Sequence, residues 1–296
     1  MNKKVLSFDK AYQLNKTSIA IGFFDGLHLG HQELIKEIMN SPFTPAVLTF
    51  SLDLKSLVFK KKEDVILTEE EKENLLSSFG VKDYYLLPFS KDVMNATPLA
   101  FLSFLKGLNA GEIVVGEDFR FGDKAKGDVN LIKELEKDGI RVIVKKLLMI
   151  DNRKVSSSVI KELLKKGQIE QANKLLGYSF FNEGVVIHGL MNGRKLGYPT
   201  ANMLENPEKI KLPDGVYKTI TTIGDKRYAS MTNIGNHPTI DPLNHRLIET
   251  NILGFSGNLY DQKIRVSFIK YLRPQQKFSS LDELKTQLFL DKKQCL

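Results

Sequence analysis

Cysteine, tryptophan and long apolar runs are scarce or missing in this sequence. Among 296 residues there is one cysteine, Cys295, and there is no tryptophan. One cysteine cannot form an intramolecular disulfide, and it excludes a metal site built from several thiolates. Apolar runs such as residues 45–50 fall far short of the roughly 20 residues of a membrane-spanning helix. Because the lysine-bearing first residues also differ from a secretory signal, we expect a cytoplasmic protein that does not enter a membrane.

The charge is unbalanced but spread along the chain. There are 43 basic and 35 acidic residues, which gives a formal net charge of +8. Apart from one run of three lysines at residues 60–62, the lysines stand singly or in pairs among acids, a pattern typical of a solvated surface that attracts phosphates. With neither an RNP-type aromatic signature nor a basic helix, a nucleic-acid partner is not expected. A homo-oligomer is compatible with these features.

The first half of the chain alternates strand-like and helix-like segments. Strands are predicted over residues 18–24, 45–50, 84–87, 112–116 and 141–145. Helices are predicted over residues 32–39, 68–79, 99–108 and 130–137. This alternation predicts an α/β domain with a doubly wound parallel sheet, which binds ligands at the carboxyl ends of its strands.

The second half changes character after about Leu176. Short β-type runs cover residues 184–188, 215–223, 227–233, 246–253 and 264–271. They predict a small antiparallel barrel, and residues 279–293 predict one C-terminal helix packed against it. We therefore expect two domains, residues 1–178 and 179–296.

A turn rich in glycine and histidine, GFFDGLHLGH over residues 22–31, connects the first predicted strand to a helix. Backbone N–H groups at a helix start suit phosphate oxygens, and His28 and His31 can face one anion. Three glycines would let the backbone approach a ligand closely: Gly22, Gly26 and Gly30. The turn lacks the P-loop and dinucleotide fingerprints. A zinc site of Asp25, His28 and His31 is a less favoured alternative.

A second candidate phosphate-binding segment lies at residues 155–167, VSSSVIKELLKKG. Ser156, Ser157 and Ser158 stand at a predicted helix start, and Lys161 lies in the first turn. Hydroxyls, N–H groups and an ammonium could together bind a triphosphate. A simple serine cap is the alternative explanation.

These segments carry a resemblance to a known family. GFFDGLHLGH, GEDFRFGDKAKGD at 116–128 and SSSVIKELLKKGQIEQANKLLG at 156–177 resemble the nucleotidylyltransferase domain of bacterial bifunctional riboflavin kinase/FAD synthetases. GVVIHGLMNGRKLGYPTANM, LPDGVYKT, TNIGNHPT and IETNILGFSGNLYDQKIRVSFIKYLRPQQKF resemble the riboflavin kinase domain. The resemblance implies that ATP phosphorylates riboflavin to FMN in the second domain. It also implies that FMN and a second ATP give FAD and pyrophosphate in the first.

The resemblance also implies roles for individual residues. Glu249 would be the general base of the kinase, and Thr200 and Asn202 would hold Mg²⁺ and ATP phosphates. Further kinase residues would be Gly193, Arg194 and Gly197 for ATP, and Glu249 and Arg273 for the flavin. In the adenylyltransferase, ATP would contact Gly22, Phe23, Asp25, Gly26, His28, His31, Ser156, Ser157, Ser158 and Lys161, with His28 and His31 catalytic. The flavin of FMN would contact Asp118, Phe119 and Arg120.

Three departures from the family pattern affect these expectations. Where the family has Thr-Phe-Asp-Pro-His-Pro, this chain has TFSLDL at 49–54. Where the family has Ser-Ser-Thr-Arg-Ile-Arg, this chain has SSSVIK at 156–161. Where the family has HGDGRGR, this chain has HGLMNGR at 188–194. Lys161 keeps a positive charge but loses the bidentate fork of arginine. These departures leave open that only one domain is active, the adenylyltransferase being more affected. A less favoured alternative is a flavin-responsive regulator that uses its +8 charge to bind RNA.

Overall fold

The computed structural model describes residues 1–10, 12, 14–51, 64–188, 197–236 and 246–296. The chain divides into two compact units, Met1–Ser157 and Ser158–Leu296. The predicted fold class is confirmed, because the first unit contains a parallel sheet and the second an antiparallel one. The domain boundary at residues 178/179 stays a prediction.

The first unit is built on a six-stranded sheet in which every neighbouring pair is parallel. Its strands are β1 (Asn2–Val5), β2 (Thr17–Ile21), β3 (Thr44–Ser51), β4 (Asp83–Pro88), β5 (Ala110–Gly116) and β6 (Arg141–Lys145), in the order β1-β4-β3-β2-β5-β6. β1 was not predicted, because its four exposed residues, NKKV, lie at the sheet edge and lack an apolar pattern. A small hairpin follows, formed by β7 (Met149–Ile150) and β8 (Arg153–Lys154).

Five helices surround this sheet in the described part of the first unit. They are α1 (Leu29–Met39), α2 (Glu69–Ser78), α3 (Lys91–Asn95), α4 (Pro98–Lys106) and α5 (Val129–Ile132). Local signals explain their starts: Thr68 and Glu71 form a capping box, and Thr97 caps α4 ahead of a proline. The predicted helix 130–137 is wrong in part, because α5 gives way to a 3₁₀ segment, Lys133–Asp138.

The second unit consists of a curled antiparallel sheet and its helices. α6 (Ser157–Lys165) begins at the last residue of the first unit, and α7 (Ile169–Leu176) follows. The strands are β9 (Phe181–Val185), β10 (Ala201–Leu204), β11 (Gly215–Ile223), β12 (Lys226–Asn236), β13 (Arg246–Ile252) and β14 (Lys263–Arg273). The order is β10-β13-β12-β11-β14-β9, and a bridge between Ile187 and Asn202 brings the two edges together.

Two strands of the second unit, β9 and β10, differ clearly from the sequence prediction. β9 lies three residues earlier than the predicted strand 184–188. β10 was not predicted as a strand at all, because its sequence, ANML, has no alternating pattern. Pairing with β13, which lies more than 40 residues later in the chain, makes it one.

Hydroxyl groups form a chain on the inner face of this sheet. Thr221 bonds to Ser230 at 2.8 Å, Ser230 to Thr219 at 2.8 Å, Thr219 to Thr232 at 2.7 Å and Thr232 to Thr250 at 3.0 Å. All five side chains are fully buried. Each hydroxyl therefore depends on its neighbours to satisfy it, because water does not reach it.

The C-terminal helix α8 (Leu281–Cys295) packs on the outer face of the sheet, as predicted. Leu288 and Cys295 contact an apolar patch that includes Val216 and Met231. Ser280 caps the helix start by accepting the backbone N–H of Glu283 at 3.2 Å. No helix among the described residues combines the length and apolar character needed to cross a bilayer.

We predict that a fragment of residues 158–296 is more stable than the fragment 179–296. The shorter fragment lacks α7, which packs on β14. It also lacks Asn173, whose side chain donates to Phe268 O and accepts from Phe180 N, both at 2.8 Å. Its midpoint of thermal unfolding should be lower by about 5 °C or more. Thermal unfolding followed by circular dichroism would measure the two midpoints. The variant Asn173→Ala in the longer fragment should have a midpoint between those of the two fragments. Equal midpoints for the two fragments would contradict the prediction.

Candidate active sites

The histidine turn has a strained backbone at the carboxyl end of β2. Phe24 and Leu27 have φ of +53° and +38°, values that L residues rarely adopt. Gly26 lies between them at φ +81°, and a Cβ there would come within 2.8 Å of Ile66 Cδ1. Such strain persists only where surrounding contacts impose it, and it is concentrated at functional sites.

Asp25 supplies those contacts from inside the turn. Its carboxylate Oδ1 accepts the backbone N–H of Ile66 at 2.9 Å, and its carbonyl accepts the hydroxyl of Ser157 at 2.8 Å. Thr49 adds a third bond, from its hydroxyl to the carbonyl of Phe23 at 3.1 Å. Ser157 therefore holds the turn, and Ser156 lies directly before α6.

The two histidines lie stacked at the start of α1. Their ring centroids are 3.7 Å apart with planes 14° from parallel. His28 is the N-cap residue, and its Nδ1 accepts the backbone N–H of His31 at 3.3 Å. A Cβ at Gly30 would lie 3.2 Å from that Nδ1, so the missing side chain makes room for the ring.

Both imidazoles are neutral near pH 7. Burial lowers the pKa of His28 to about 4, although the nearby Asp25 carboxylate opposes this. Burial, together with His28 and the Lys72 ammonium, lowers the pKa of His31 well below its usual value. Since Nδ1 of neutral His28 accepts a bond, its proton lies on Nε2. That N–H is a fixed donor of the kind that stabilises developing negative charge.

The zinc alternative has no support in the described residues. They contain no group of three or more His, Cys, Asp or Glu side chains placed to hold a metal ion. The Asp25 carboxylate instead bonds to the backbone.

An ion pair near His28 joins Asp118, which was predicted to contact the flavin, to Lys154, which the sequence analysis missed. Asp118 follows β5, and its Oδ2 lies 2.8 Å from the Lys154 ammonium of β8. Both groups act on the pKa of His28, Asp118 raising it and Lys154 lowering it, after the larger effects of burial and Asp25. The only signal in the sequence was that Lys154 stands two residues before Ser156.

Aromatic rings gather at the carboxyl end of the same sheet. Phe23 lies 5.2 Å from Phe50 and 6.2 Å from Phe89, and the latter two are 6.0 Å apart, measured between centroids. Phe119 stacks on Phe121 at 5.6 Å, whereas Arg120 is exposed and donates to the carbonyl of Phe119 at 3.1 Å. A flat aromatic ligand would find ring surfaces here.

The second unit has its own cavity, of about 380 Å³, between the outer face of the sheet and α8. One part of its lining is apolar and the rest carries amides, a hydroxyl, a carboxylate and a guanidinium. The lining residues are Tyr198, Thr200, Val216, Met231, Asn233, Glu249, Asn251, Arg273, Gln275, Gln276, Phe278, Leu284 and Leu288. Three of the predicted kinase residues, Thr200, Glu249 and Arg273, thus share one cavity.

Strand register places Glu249 between two amides. Glu249 on β13 pairs with Asn202 on β10 and with Asn233 on β12. Asn233 Nδ2 lies 3.5 Å from Glu249 Oε2, and Gln275 donates to Asn233 Oδ1 at 3.1 Å. Oδ1 of Asn202 is buried and has no hydrogen-bond partner among the described residues. Asn233 and Gln275 were not singled out from the sequence.

The remaining predicted residues lie elsewhere or outside the described residues. Gly193 and Arg194 are in the undescribed segment 189–196, and Gly197 follows it with φ +81°. Ser158 and Lys161 belong to the second unit. Residues 52–54 of TFSLDL also lie outside the described residues.

Comparisons with known proteins match each half of the chain to a known family. The sequence model of the FAD synthetase family matches residues 10–159, and that of riboflavin kinase matches residues 176–296. The bifunctional riboflavin kinase/FMN adenylyltransferase of Bacillus subtilis (strain 168) is 34% identical over 291 residues, which are 95% of this chain and 92% of that protein. The chain belongs to this bifunctional family.

Other relatives of the riboflavin kinase/FMN adenylyltransferase family extend the likeness. The protein of the same name from Escherichia coli (strain K12) is 31% identical, covering 92% of this chain and 90% of its own. A crystal structure from Streptococcus pneumoniae, described as a macrolide-efflux protein, has a TM-score of 0.89 at 29% identity, covering 99% of this chain and 98% of its own. That likeness concerns the fold.

The neutral histidines predict an acid-dependent loss of stability. Between pH 6.5 and about 4 the unfolded chain protonates His28 while the folded chain does not, so protons favour unfolding. Replacing His28 by Asn keeps a good N-cap residue but removes this titration. Urea unfolding at pH 7.5, 6.5, 5.5 and 4.5 should therefore show the wild type losing stability faster than His28→Asn. Parallel curves would contradict the neutral state of His28.

Proposed function

We propose that this protein phosphorylates riboflavin to FMN and adenylylates FMN to FAD, releasing pyrophosphate. One observation carries the proposal: the chain matches the FAD synthetase and riboflavin kinase families in that order along nearly its whole length. ATP, riboflavin and FMN are the small-molecule substrates, and FAD is the final product. Because both reactions consume ATP, we place the enzyme in the cytoplasm.

The cavity of the second unit suits riboflavin. Its apolar side, which includes Phe278, Leu284 and Leu288, offers a surface for a flat ring system, and its polar side offers partners for hydroxyl groups. Glu249 would accept the proton of the riboflavin 5′-hydroxyl as that oxygen bonds to the γ-phosphorus and ADP leaves. Asn233 Nδ2 lies 3.5 Å from this carboxylate and would help to orient it toward the cavity.

Oxygen ligands near Glu249 also suit Mg²⁺. The buried Oδ1 of Asn202 lacks a partner among the described residues, and a hard oxygen ligand is what this ion prefers. Asn202 and Thr200 would hold the ion with the ATP phosphates. When bound, Mg²⁺ neutralises charge on the transferring phosphoryl group.

The histidine turn suits adenylyl transfer. An oxygen of the FMN phosphate would bond to the α-phosphorus of ATP while the bond to pyrophosphate breaks. The neutral His28 and His31 would donate hydrogen bonds where negative charge develops, at the start of α1. The ammonium of Lys154, which is paired with Asp118 near His28, would be a further contact for a phosphate. Asp118, Phe119 and Arg120 would contact the flavin of FMN, and the stacked rings of Phe119 and Phe121 would offer it a flat surface.

The direct test is incubation with riboflavin, ATP and Mg²⁺, followed by chromatography of riboflavin, FMN and FAD. Formation of both products supports two active domains. Formation of FMN without FAD would show that only the kinase domain is active, and the departures TFSLDL and Lys161 would then explain the loss of adenylyltransferase activity. Absence of both products would contradict the proposal.

Replacing Glu249 by Gln should lower FMN formation by roughly two to four orders of magnitude, because an amide cannot accept the hydroxyl proton. FAD formation from supplied FMN should stay unchanged. Rates of ADP and FMN release measure the first effect, and pyrophosphate release measures the second. Glu183→Gln, which alters a carboxylate paired with Arg265 on the same barrel, is the matched control. Near-normal FMN formation by folded Glu249→Gln would remove Glu249 from the mechanism.

Replacing His28 or His31 by Ala should lower FAD formation from FMN by roughly 10² to 10³, the usual cost of a lost preorganised donor. FMN formation should be unaffected, which separates a local role from general unfolding. The assay supplies FMN and ATP directly and follows FAD and pyrophosphate. A folded double variant that makes FAD as fast as the wild type would contradict this role.

A further inference from the structure

Helix α8 forms one wall of the cavity in the second unit. Leu284 and Leu288 on this helix line the cavity, and Phe278 in the preceding segment lines it as well. The position of the helix therefore decides the width of the cavity on its apolar side.

A buried ion pair attaches this helix to the sheet. The carboxylate of Asp291 on α8 is fully buried. Nε of Arg273, at the end of β14, lies 3.1 Å from each of its oxygens, and Nη2 lies 2.7 Å from Oδ2. Gln287 donates to Oδ1 at 2.8 Å from one turn earlier in the helix. The guanidinium thus holds the carboxylate as a fork, the strongest form of such a pair.

The same guanidinium belongs to the cavity lining. Arg273 lies beside Phe278, at 5.9 Å from the ring centroid, and donates through Nη1 to the carbonyl of Pro274 at 3.0 Å. Because Asp291 fixes the fork, it also fixes how far the arginine reaches into the cavity. Removing the carboxylate would leave the guanidinium of Arg273 without its fixed position and would remove one contact that holds α8 against the sheet.

We propose that Asp291 is a positioning residue for riboflavin, which sets the flavin side of the cavity by holding Arg273 and α8 in place. The inference rests on the proposed kinase function. Asp291 itself lies outside the cavity lining, so it acts through Arg273 and the helix. A misplaced wall weakens contacts to the ring of the substrate more than contacts to ATP.

A second buried pair offers a matched control. Arg246 donates to both carboxylate oxygens of Glu205, at 3.0 and 2.8 Å, within the same unit. The Glu205 side chain is 3% exposed, and neither residue lines the cavity. Breaking this pair should therefore cost stability without moving the flavin site.

The experiment compares Asp291→Asn with Glu205→Gln in the full-length protein. Asp291→Asn should raise the KM for riboflavin about tenfold, and should raise the riboflavin Kd measured by flavin fluorescence without ATP by the same factor. Its KM for ATP and its kcat should stay within about threefold, because Glu249 and its neighbours are untouched. Glu205→Gln should lower the thermal midpoint but leave the riboflavin KM unchanged. Loss of folded protein alone would lower the apparent kcat and leave the KM as it is.

An unchanged riboflavin KM in folded Asp291→Asn would overturn the inference, as would an equal rise in Glu205→Gln. If Asp291→Asn does not fold, Arg273→Lys is the substitute variant. Lysine keeps the buried carboxylate paired with a positive charge but lacks the two-pronged contact of the guanidinium, so the same rise in the riboflavin KM is expected. A wild-type KM in Arg273→Lys would then overturn it. Failure of the proposed function is distinguishable, because the wild type itself would neither bind nor phosphorylate riboflavin.

Discussion

The backbone register of β10, β13 and β12 is the constraint on which the kinase site depends. It sets Asn202, Glu249 and Asn233 in one row across three strands. Side chains alternate between the faces of a strand, so a slip by one residue would bring buried Thr250 to the outer face and turn Glu249 inward. The hydroxyl chain inside the barrel and the carboxylate at the cavity therefore require the same register. A fold that satisfies one also satisfies the other.

The histidine turn depends in a similar way on residues that are remote in the sequence. Asp25 bonds to Ile66, about 40 residues later, and to Ser157, at the start of α6. Without these bonds nothing local would hold Phe24 and Leu27 at positive φ. The ten-residue motif is thus not a self-sufficient unit, since the sheet and two later segments give it its shape. Its histidines are neutral for the same reason, because the surrounding chain buries them.

Features that depend on local pattern could be predicted from the sequence. The alternation of strands and helices, the histidine turn and the C-terminal helix all have such patterns. Features that depend on pairing could not. β10 is a strand because it pairs with β13. Lys154 and Asp291 are held in position by ion pairs with Asp118 and Arg273, which lie 36 and 18 residues away in the chain. An aspartate near the end of a helix such as α8 reads as a solvated residue, and only its burial against Arg273 shows otherwise.

The hydroxyl chain of the barrel bears on how this sequence can diverge. Changing Thr219 or Thr232 alone to valine keeps the shape but leaves neighbouring hydroxyls without a partner in a dry interior, which costs more than the lost bond itself. Changing several members together removes donors and acceptors in balance. Positions 219, 221, 230, 232 and 250 should therefore evolve as a group, either hydroxylic throughout or apolar throughout. The hydrogen bonds inside the barrel therefore restrict substitutions at these five positions together, although none of the five side chains lines the cavity.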